Sequence, residues 1–233
     1  MNLSLIIASA GKGSRMKMDR RKQNIPIHNK PLLWHTLNSF LDVNILFSDI
    51  YVMVNKKDIN YTKNHIIPDL YFDKEVNIHV LPGGHSRVET IQNGINSLND
   101  LTDYVFIHDG ARPFVDEDLL NRLITALNDF NAVIPAVSVK DTIKVKNNSL
   151  VVNTLDRDSL VAVQTPQAFS YKIIKEAYEK VENIEGKIYD DSLMVENIGE
   201  PVKIVEGDYN NFKITTKEDL YKASHILDKR GLE

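Results

Sequence analysis

Several features that would indicate particular classes of protein are absent from this sequence of 233 residues. There is no cysteine, which excludes a disulfide framework and a thiolate metal site, and nothing indicates an oxidising compartment. The first apolar run, Leu3–Ala8, is short and has no basic leader, so we expect neither a signal peptide nor a membrane span. A cytoplasmic location is therefore expected.

Positive charge is also scarce. The 28 Lys and Arg residues are outnumbered by 32 Asp and Glu residues, which gives a formal net charge of −4. Proteins that bind nucleic acid through its phosphates usually carry a clustered excess of Lys and Arg, so we expect no nucleic-acid partner. The composition is that of an ordinary globular protein, and no Pro/Gly-rich linker interrupts it. We expect a single domain over residues 1–233.

Short apolar runs alternate with longer amphipathic stretches. The runs are rich in Ile and Val and predict buried strands at Leu3–Ala8, Ile50–Val54, Asn77–Leu81, Tyr104–His108 and Ala132–Val137. The stretches between them predict helices at Pro31–Leu41, Ser86–Leu98 and Asp116–Leu127. Strands that are apolar on both faces are typical of a parallel sheet covered by helices on each side. The predicted fold class is therefore an α/β three-layer sandwich.

The pattern changes after residue 137. Lys140–Lys146 alternates polar with apolar residues, Asn147-Asn148 predicts a turn, and Leu150–Leu155 returns, so an antiparallel hairpin is predicted to project from the sheet. A protruding hairpin with an apolar face usually has a partner, so we expect this β-arm, about residues 138–158, to form a homodimer. The elements predicted after the arm are helices at Ser170–Val181, Asp190–Asn197 and Thr216–Leu227, and strands at Val202–Glu206 and Phe212–Thr215.

A glycine loop, Ala10-Gly11-Lys12-Gly13-Ser14-Arg15, follows the first predicted strand. Alternate glycines let backbone N–H groups approach phosphate oxygens, and Lys12 and Arg15 add positive charge. The loop lacks the third glycine of the dinucleotide fingerprint, where Met16 stands, and does not have the P-loop spacing. It predicts a phosphate ligand, with an ordinary tight turn as the alternative.

Two further groups of residues could carry chemistry. The cluster Arg20-Arg21-Lys22-Gln23 could place Lys22 over a triphosphate, although basic clusters are usually solvated surface. The segment His108-Asp109-Gly110-Ala111-Arg112-Pro113 lies at the carboxyl end of the fourth predicted strand. That end is where open α/β sheets bind ligands, although Asp109 and Arg112 could simply pair with each other.

Eight short motifs occur in order along nearly the whole chain. They are Ala10-Gly11-x-Gly13-x-Arg15-Met16, Lys22-Gln23, Gly83-Gly84-x-x-Arg87-x-x-Thr90, His108-Asp109-x-Ala111-Arg112-Pro113, Asp141-Thr142, Asp156-Arg157, Gln164-Thr165-Pro166-Gln167-x-Phe169 and Asn211-Phe212-Lys213-x-Thr215. This series resembles the 2-C-methyl-D-erythritol 4-phosphate cytidylyltransferase family. The resemblance implies a Rossmann-like sheet with a β-arm that clasps a second subunit. It also implies transfer of CMP from CTP to methylerythritol phosphate, giving 4-diphosphocytidyl-2-C-methyl-D-erythritol and pyrophosphate in the non-mevalonate isoprenoid pathway.

The resemblance also implies roles for individual residues. The catalytic cations around the triphosphate would be Arg15, Lys22 and Lys213. The nucleotide would be held near Ala10, Gly11, Gly13, Gly83, Gly84, His85 and Thr90. The sugar-alcohol phosphate would be bound by Asp109, Ala111, Arg112, Thr142 and Arg157, with the arm residues Thr142 and Arg157 reaching the other subunit's site. Mg²⁺ would be bound mainly through the CTP phosphates, so no protein ligand is assigned to it.

Other functions stay open from the sequence. A ribitol-5-phosphate cytidylyltransferase has much the same nucleotide half, but Thr154–Leu160 and Gly110 favour the methylerythritol group. A CTP-binding sensor without turnover could lose the cations that this chain retains. An NAD-dependent oxidoreductase would need the third glycine and an acidic residue after the second strand, where Asn55 stands. Asn210 stands where the family often has an aspartate, and Asp208 is the candidate substitute.

Overall fold

The computed structural model of the protein describes residues 1–11, 25–72, 75–180 and 187–229. The strands are β1 Leu3–Ser9, β2 Pro26–Ile27, β3 Lys30–Pro31, β4 Asp49–Val54, β5 Asn77–Pro82, β6 Tyr104–Asp109, β7 Ala132–Ser138, β8 Lys144–Asn147, β9 Leu150–Thr154, β10 Val161–Val163, β11 Gln167–Ser170 and β12 Lys203–Glu206. The helices are α1 Leu32–Leu41, α2 Ile59–Tyr61, α3 Arg87–Ile95, α4 Glu117–Ala126, α5 Tyr171–Glu179, α6 Ser192–Asn197 and α7 Lys217–Lys229. Irregular helical turns flank α2 between residues 56 and 69, and a 3-10 turn covers Arg157–Ser159.

An eight-stranded sheet forms the centre of the fold. Its order is β10-β7-β11-β6-β1-β4-β5, and β12 pairs with β7. β1 pairs in parallel with β4 and β6, β4 pairs in parallel with β5, and β12 pairs in parallel with β7. β10 and β11 run antiparallel to their neighbours. The mostly parallel α/β sheet predicted from the sequence is confirmed.

Two hydrophobic layers cover the two faces of this sheet. Leu5 and Ile7 of β1 pack in one cluster with α1 and α4, whereas Ile6 packs in another cluster with α3, α5 and α6. Alternate residues of a strand point to opposite faces, so a strand that is apolar throughout requires helices on both sides. Each such Leu or Ile contributes about 1.5–3 kcal/mol when fully buried. The three-layer arrangement follows from this burial.

Two predicted helix starts are confirmed by their caps. The Ser86 hydroxyl accepts a hydrogen bond from the Glu89 N–H at 3.1 Å, and the Asp116 carboxylate accepts one from the Leu119 N–H at 2.8 Å. Both bonds satisfy donors that a helix leaves unpaired in its first turn. The Ser86 cap lies two residues after the Gly83-Gly84 pair, so it also fixes the end of that loop.

The predicted hairpin is present as a separate two-stranded antiparallel sheet of β8 and β9. Its turn lies at Asn148-Ser149, one residue later than predicted, and Asn148 adopts a left-handed φ of 52°. All residues of both strands are exposed, including Leu150, Val151 and Val152. Neither face of the arm is covered by the part of the chain that the structure describes.

The strand predicted at Phe212–Thr215 is wrong. This segment has no regular structure, because its backbone bonds to a loop: the Ile214 N–H donates to the Ala111 carbonyl at 2.9 Å. The Phe212 ring lies against Phe114, with ring centroids 5.5 Å apart. The alternation of apolar and polar residues therefore reflects docking onto the loop after β6.

In the described ranges, no helix is long and apolar enough to cross a membrane.

Candidate active site

The candidate site lies at the carboxyl edge of the parallel strands. In register, Ala8 of β1 is opposite Asp109 of β6, Ser9 is opposite Val54 of β4, and Val54 is opposite Pro82 of β5. The segments that follow β1 and β5, and Asp109 itself, therefore meet at one edge. This is the edge at which open α/β sheets bind ligands.

Ala10, which follows β1, touches the loop after β5. A Cβ atom on Gly83 would lie 2.4 Å from the Ala10 Cβ and 3.0 Å from the Thr90 methyl carbon, so the loops can approach only because residue 83 has no side chain. At Gly11 an added Cβ would meet no described atom within 4 Å. The predicted nucleotide residues Ala10 and Gly83 are thus in contact.

Hydrogen bonds to α3 fix the loop after β5. The Thr90 hydroxyl donates to the Ser86 carbonyl at 2.7 Å and accepts from the Gly84 N–H at 3.0 Å. The Glu89 carboxylate accepts from the His85 N–H at 2.6 Å. Thr90 therefore shapes the loop, and its hydroxyl is already committed to backbone groups. The other predicted residues of the glycine loop and basic cluster, including Gly13, Arg15 and Lys22, lie outside the described residues.

Asp109 is the centre of a cluster of cations. Its Oδ2 atom lies 2.7 Å from Lys213 Nζ and 3.6 Å from Arg112 Nε, and its Oδ1 atom lies 3.7 Å from Arg87 Nε. Burial alone would raise the pKa of Asp109, but Lys213, Arg87 and Arg112 hold it well below its ordinary value. The carboxylate is therefore ionised at any pH at which the protein would work. Of the predicted residues, Asp109, Arg112 and Lys213 come together here.

Arg112 positions the loop that carries Lys213. Its Nη1 atom donates to the Asn211 carbonyl at 2.7 Å, and the Asn211 side-chain amide donates to the Thr165 carbonyl at 2.8 Å. The carbonyl of Ala111 accepts from Ile214, as described above. The predicted residues Ala111 and Arg112 thus clamp the chain on both sides of Lys213.

His108 has a structural role beside this cluster. It is fully buried, and its Nε2–H donates to the Arg112 carbonyl at 2.9 Å, because a carbonyl can only accept. Its Nδ1 then accepts from the Thr165 hydroxyl at 3.1 Å, and that hydroxyl accepts from the Asp109 N–H. Burial lowers the pKa of His108 to about 4. A neutral imidazole therefore holds the loop after β6 in place.

The burial of neutral His108 predicts a loss of stability in mild acid. Below the ordinary histidine pKa of 6.5 the unfolded chain binds a proton that the folded chain refuses until about pH 4. The free energy of unfolding should therefore fall as pH drops through this window, by up to about 3 kcal/mol from this residue. Urea unfolding of the wild type and of His108→Gln at several pH values measures the pH dependence of the free energy of unfolding. An equal pH dependence in the two proteins would contradict the assignment.

The sequence alone did not identify Asp191 as part of the site. Both Arg87 guanidinium Nη atoms bond its carboxylate, at 2.8 and 2.6 Å, and the Tyr178 hydroxyl donates to it at 2.6 Å. Burial would lower the pKa of Arg87, but Asp191 and Asp109 raise it, so Arg87 stays charged. The available signals were Arg87 in the Gly83-Gly84 motif and the Asp190-Asp191 pair, which predicted only a helix start.

The predicted arm residues do not join the cluster within one chain. Thr142 and Arg157 are both exposed, and Arg157 Nη1 donates to the Lys140 carbonyl at 3.1 Å. Neither forms an ion pair or hydrogen bond with Asp109 or Lys213 in the part of the chain that the structure describes. The candidate substitute Asp208 makes a local hydrogen bond, in which its carboxylate accepts from the Asn210 N–H at 2.9 Å.

The described residues do not provide a protein cage for a metal ion. Within the described ranges, no three His, Asp or Glu side chains are grouped so that they could hold one. Asp109 is the carboxylate at the centre of the site, and the cations around it compete with any metal.

The fold and site define a class: an α/β protein with cations grouped around a buried aspartate at the edge where open sheets of this kind bind ligands. A model of the 2-C-methyl-D-erythritol 4-phosphate cytidylyltransferase family matches residues 3–229. The chain belongs to this family, and it is a nucleotidyltransferase.

Individual relatives agree with the family match. The 2-C-methyl-D-erythritol 4-phosphate cytidylyltransferase of Clostridium perfringens strain SM101 is 42% identical over 223 residues, covering 95% of this chain and 97% of the relative. The protein of that name from Clostridioides difficile strain 630 is 41% identical, covering 97% and 93%. The crystal structure of 4-diphosphocytidyl-2C-methyl-D-erythritol synthase from Anaerococcus prevotii has a TM-score of 0.82 and 34% identity, covering 97% of this chain and 98% of that one. The resemblance inferred from the motifs is confirmed.

Proposed function

We propose that the protein transfers CMP from CTP to 2-C-methyl-D-erythritol 4-phosphate and releases pyrophosphate. The observation that carries this proposal is the Lys213–Asp109 pair at the carboxyl edge, on the same edge as the contact between Ala10 and Gly83. It combines a cation for phosphate groups with an ionised acceptor for hydroxyl groups. Family membership supports the same substrates over ribitol phosphate or binding of CTP without turnover.

The reaction needs alignment and positive charge more than a side-chain nucleophile. A phosphate oxygen of the acceptor attacks the CTP α-phosphorus in line, and a new P–O bond forms. The bond from the α-phosphorus to the bridging oxygen breaks, and pyrophosphate leaves with its electron pair. The Lys213 ammonium group directs one N–H at Asp109, at 2.7 Å. Its two other N–H groups can donate to phosphate oxygens.

Each substrate has a proposed set of binding groups. The loops at Ala10, Gly11, Gly83, Gly84 and His85 would hold cytosine and ribose, mainly through backbone groups, with Thr90 fixing the second loop. Asp109 would accept hydrogen bonds from hydroxyl groups of the acceptor, with Ala111 and Arg112 supporting it. Gly13, Arg15 and Lys22 keep the triphosphate roles predicted from the sequence.

Magnesium would be bound by the CTP phosphates and water rather than by a set of carboxylates. This fits the donor groups, because the cations around Asp109 disfavour a metal ion beside it, and Mg²⁺ retains most of its waters. When bound, the ion would neutralise charge on the phosphate oxygens.

The β-arm is proposed to form a homodimer. Leu150, Val151 and Val152 are each more than half exposed, which is unusual for three consecutive apolar residues unless a partner covers them. Thr142 and Arg157 would then reach the site of the second subunit. This explains why neither contacts the Asp109 cluster of its own chain.

Replacing Arg157 by alanine is expected to raise the KM for the sugar phosphate about tenfold or more, while the KM for CTP changes little, because a charge-assisted hydrogen bond to phosphate is lost. Arg157 is exposed, and its guanidinium donates to the Lys140 carbonyl at 3.1 Å at the surface, so the fold should survive. Steady-state kinetics with each substrate varied gives the answer. An unchanged KM for the sugar phosphate would remove Arg157 from the site.

A shared site also predicts complementation. Consider a mixed dimer of one Arg157→Ala chain and one Lys213→Ala chain. If the arm of each chain reaches the partner's site, one of the two sites contains both an intact Arg157 and an intact Lys213. After subunit exchange, the mixture should therefore be more active at low sugar-phosphate concentration than either variant alone. No recovery in mixed dimers would place both residues in the same chain's site.

Turnover itself separates an enzyme from a sensor. Pyrophosphate should appear only when CTP and the sugar phosphate are both present. Binding of CTP without pyrophosphate release would favour the sensor.

A further inference from the structure

The Arg87 guanidinium is held so that it does not bond to Asp109. Both Nη atoms bond Asp191, at 2.8 and 2.6 Å, which leaves only Nε facing Asp109 Oδ1 at 3.7 Å. A bidentate pair of this kind is the strongest arrangement that an arginine makes with a carboxylate. The distance of 3.7 Å is beyond a hydrogen bond. Arg87 therefore contributes charge near Asp109 without occupying its oxygen.

Asp191 is fixed relative to the strand that carries Asp109. It is fully buried, and the backbone N–H groups of Asp191 and Ser192 donate to Gln167 Oε1 at 3.1 and 3.0 Å. Gln167 lies on β11 opposite Ile107 of β6, two residues before Asp109. Asp191, which holds Arg87, is thus connected to Asp109 through the adjacent strands β11 and β6.

Arg112 is restrained in a similar way on the other side of Asp109. Its Nη1 atom is committed to the Asn211 carbonyl, and its Nε atom lies 3.6 Å from Asp109 Oδ2. Of these three cations, only Lys213 is within hydrogen-bond distance of the carboxylate, and it uses Oδ2. Among the described residues, no donor lies within that distance of Oδ1. Asp109 keeps its charge and one oxygen that can accept.

We propose that Asp191 is a positioning residue that holds Arg87 away from Asp109, so that Asp109 Oδ1 stays open to a hydroxyl group of the acceptor. This inference rests on the proposed function. Without the Asp191 charge, the fork of Arg87 is released and its Nη atoms can turn to Asp109. The acceptor hydroxyl must then displace a charge-assisted hydrogen bond, which weakens acceptor binding.

Asp191→Asn tests this, since it keeps the size of the side chain but not its charge. The KM for the sugar phosphate should rise at least about tenfold, with the KM for CTP changed less than about twofold. Adding Arg87→Gln to Asp191→Asn should bring the sugar-phosphate KM back to within about threefold of wild type, because no guanidinium remains to block Oδ1. A merely structural role would not give this recovery of one KM.

Asp49→Asn is the matched control. Asp49 is also buried and paired, with His79 Nε2 at 2.7 Å, but it begins β4 at the opposite edge of the sheet from Asp109. The Asp49→Asn variant should be less stable than the wild type, and its KM values for both substrates should be unchanged. Comparing the two variants separates loss of a buried charge from loss of Arg87 positioning.

The outcomes that overturn the proposal are distinct. An unchanged sugar-phosphate KM in folded Asp191→Asn contradicts it, as does an equal rise in both KM values or no recovery in the double variant. If Asp191→Asn alone does not fold, the double variant decides: a KM near wild type supports the proposal, and a tenfold higher KM contradicts it. Failure of the wild type to use the two substrates would instead contradict the proposed function.

Discussion

Lys213→Ala is expected to lower the turnover number about a hundredfold or more while the fold survives. Lys213 Nζ bonds Asp109 at 2.7 Å, and the side chain is about one-third exposed at the ligand edge. Its charge can therefore reach a phosphate group while Asp109 holds it in place. Removing a preorganised cation removes stabilisation of the charge that develops on the phosphate oxygens.

The measurement is kcat with both substrates saturating, with circular dichroism as the check on folding. Lys217→Ala is the matched control, because Lys217 is exposed at the start of α7, four residues along the chain. It should leave kcat near the wild-type value. Near-normal turnover in Lys213→Ala would show that this residue is not the catalytic cation.

Asp109→Asn should lower kcat/KM for the sugar phosphate about a hundredfold, since truncating a buried, paired charge costs about 2–5 kcal/mol. The substitution keeps the shape of the side chain but removes the charge that holds Lys213 and faces Arg87 and Arg112. Two effects add: Lys213 loses its orienting partner, and the acceptor hydroxyl loses an anionic acceptor. The loss should appear in KM for the sugar phosphate and in kcat.

Asp116→Asn provides the control for this change. Asparagine caps a helix about as well as aspartate, so the bond to the Leu119 N–H should persist and kcat/KM should stay near wild type. Retention of wild-type kcat/KM in Asp109→Asn would contradict the central place given to this carboxylate.

The sequence predicted those elements whose local pattern and tertiary burial agree. β1 is apolar throughout because both of its faces are covered, and the cap residues Ser86 and Asp116 mark real helix starts. β11 was missed because Gln167 and Ser170 make it look polar, although it lies between β6 and β7. Its short length gave too few residues for a periodic signal.

The candidate site shows the same division. Asp109 and the Gly83-Gly84 loop could be placed together because parallel strands bring their carboxyl ends to one edge. The partner of Arg87 could not be predicted, because Asp191 is 104 residues away in sequence and α6 must pack on the sheet before they meet. Local periodicity contains no information about such a pair.

Product analysis with purified protein tests the central claim most directly. CTP would be supplied with 2-C-methyl-D-erythritol 4-phosphate or with ribitol 5-phosphate, and the nucleotide product and pyrophosphate would be quantified. We predict faster formation of 4-diphosphocytidyl-2-C-methyl-D-erythritol, with pyrophosphate in equal amount. Faster use of ribitol 5-phosphate, or no pyrophosphate with either acceptor, would contradict the account.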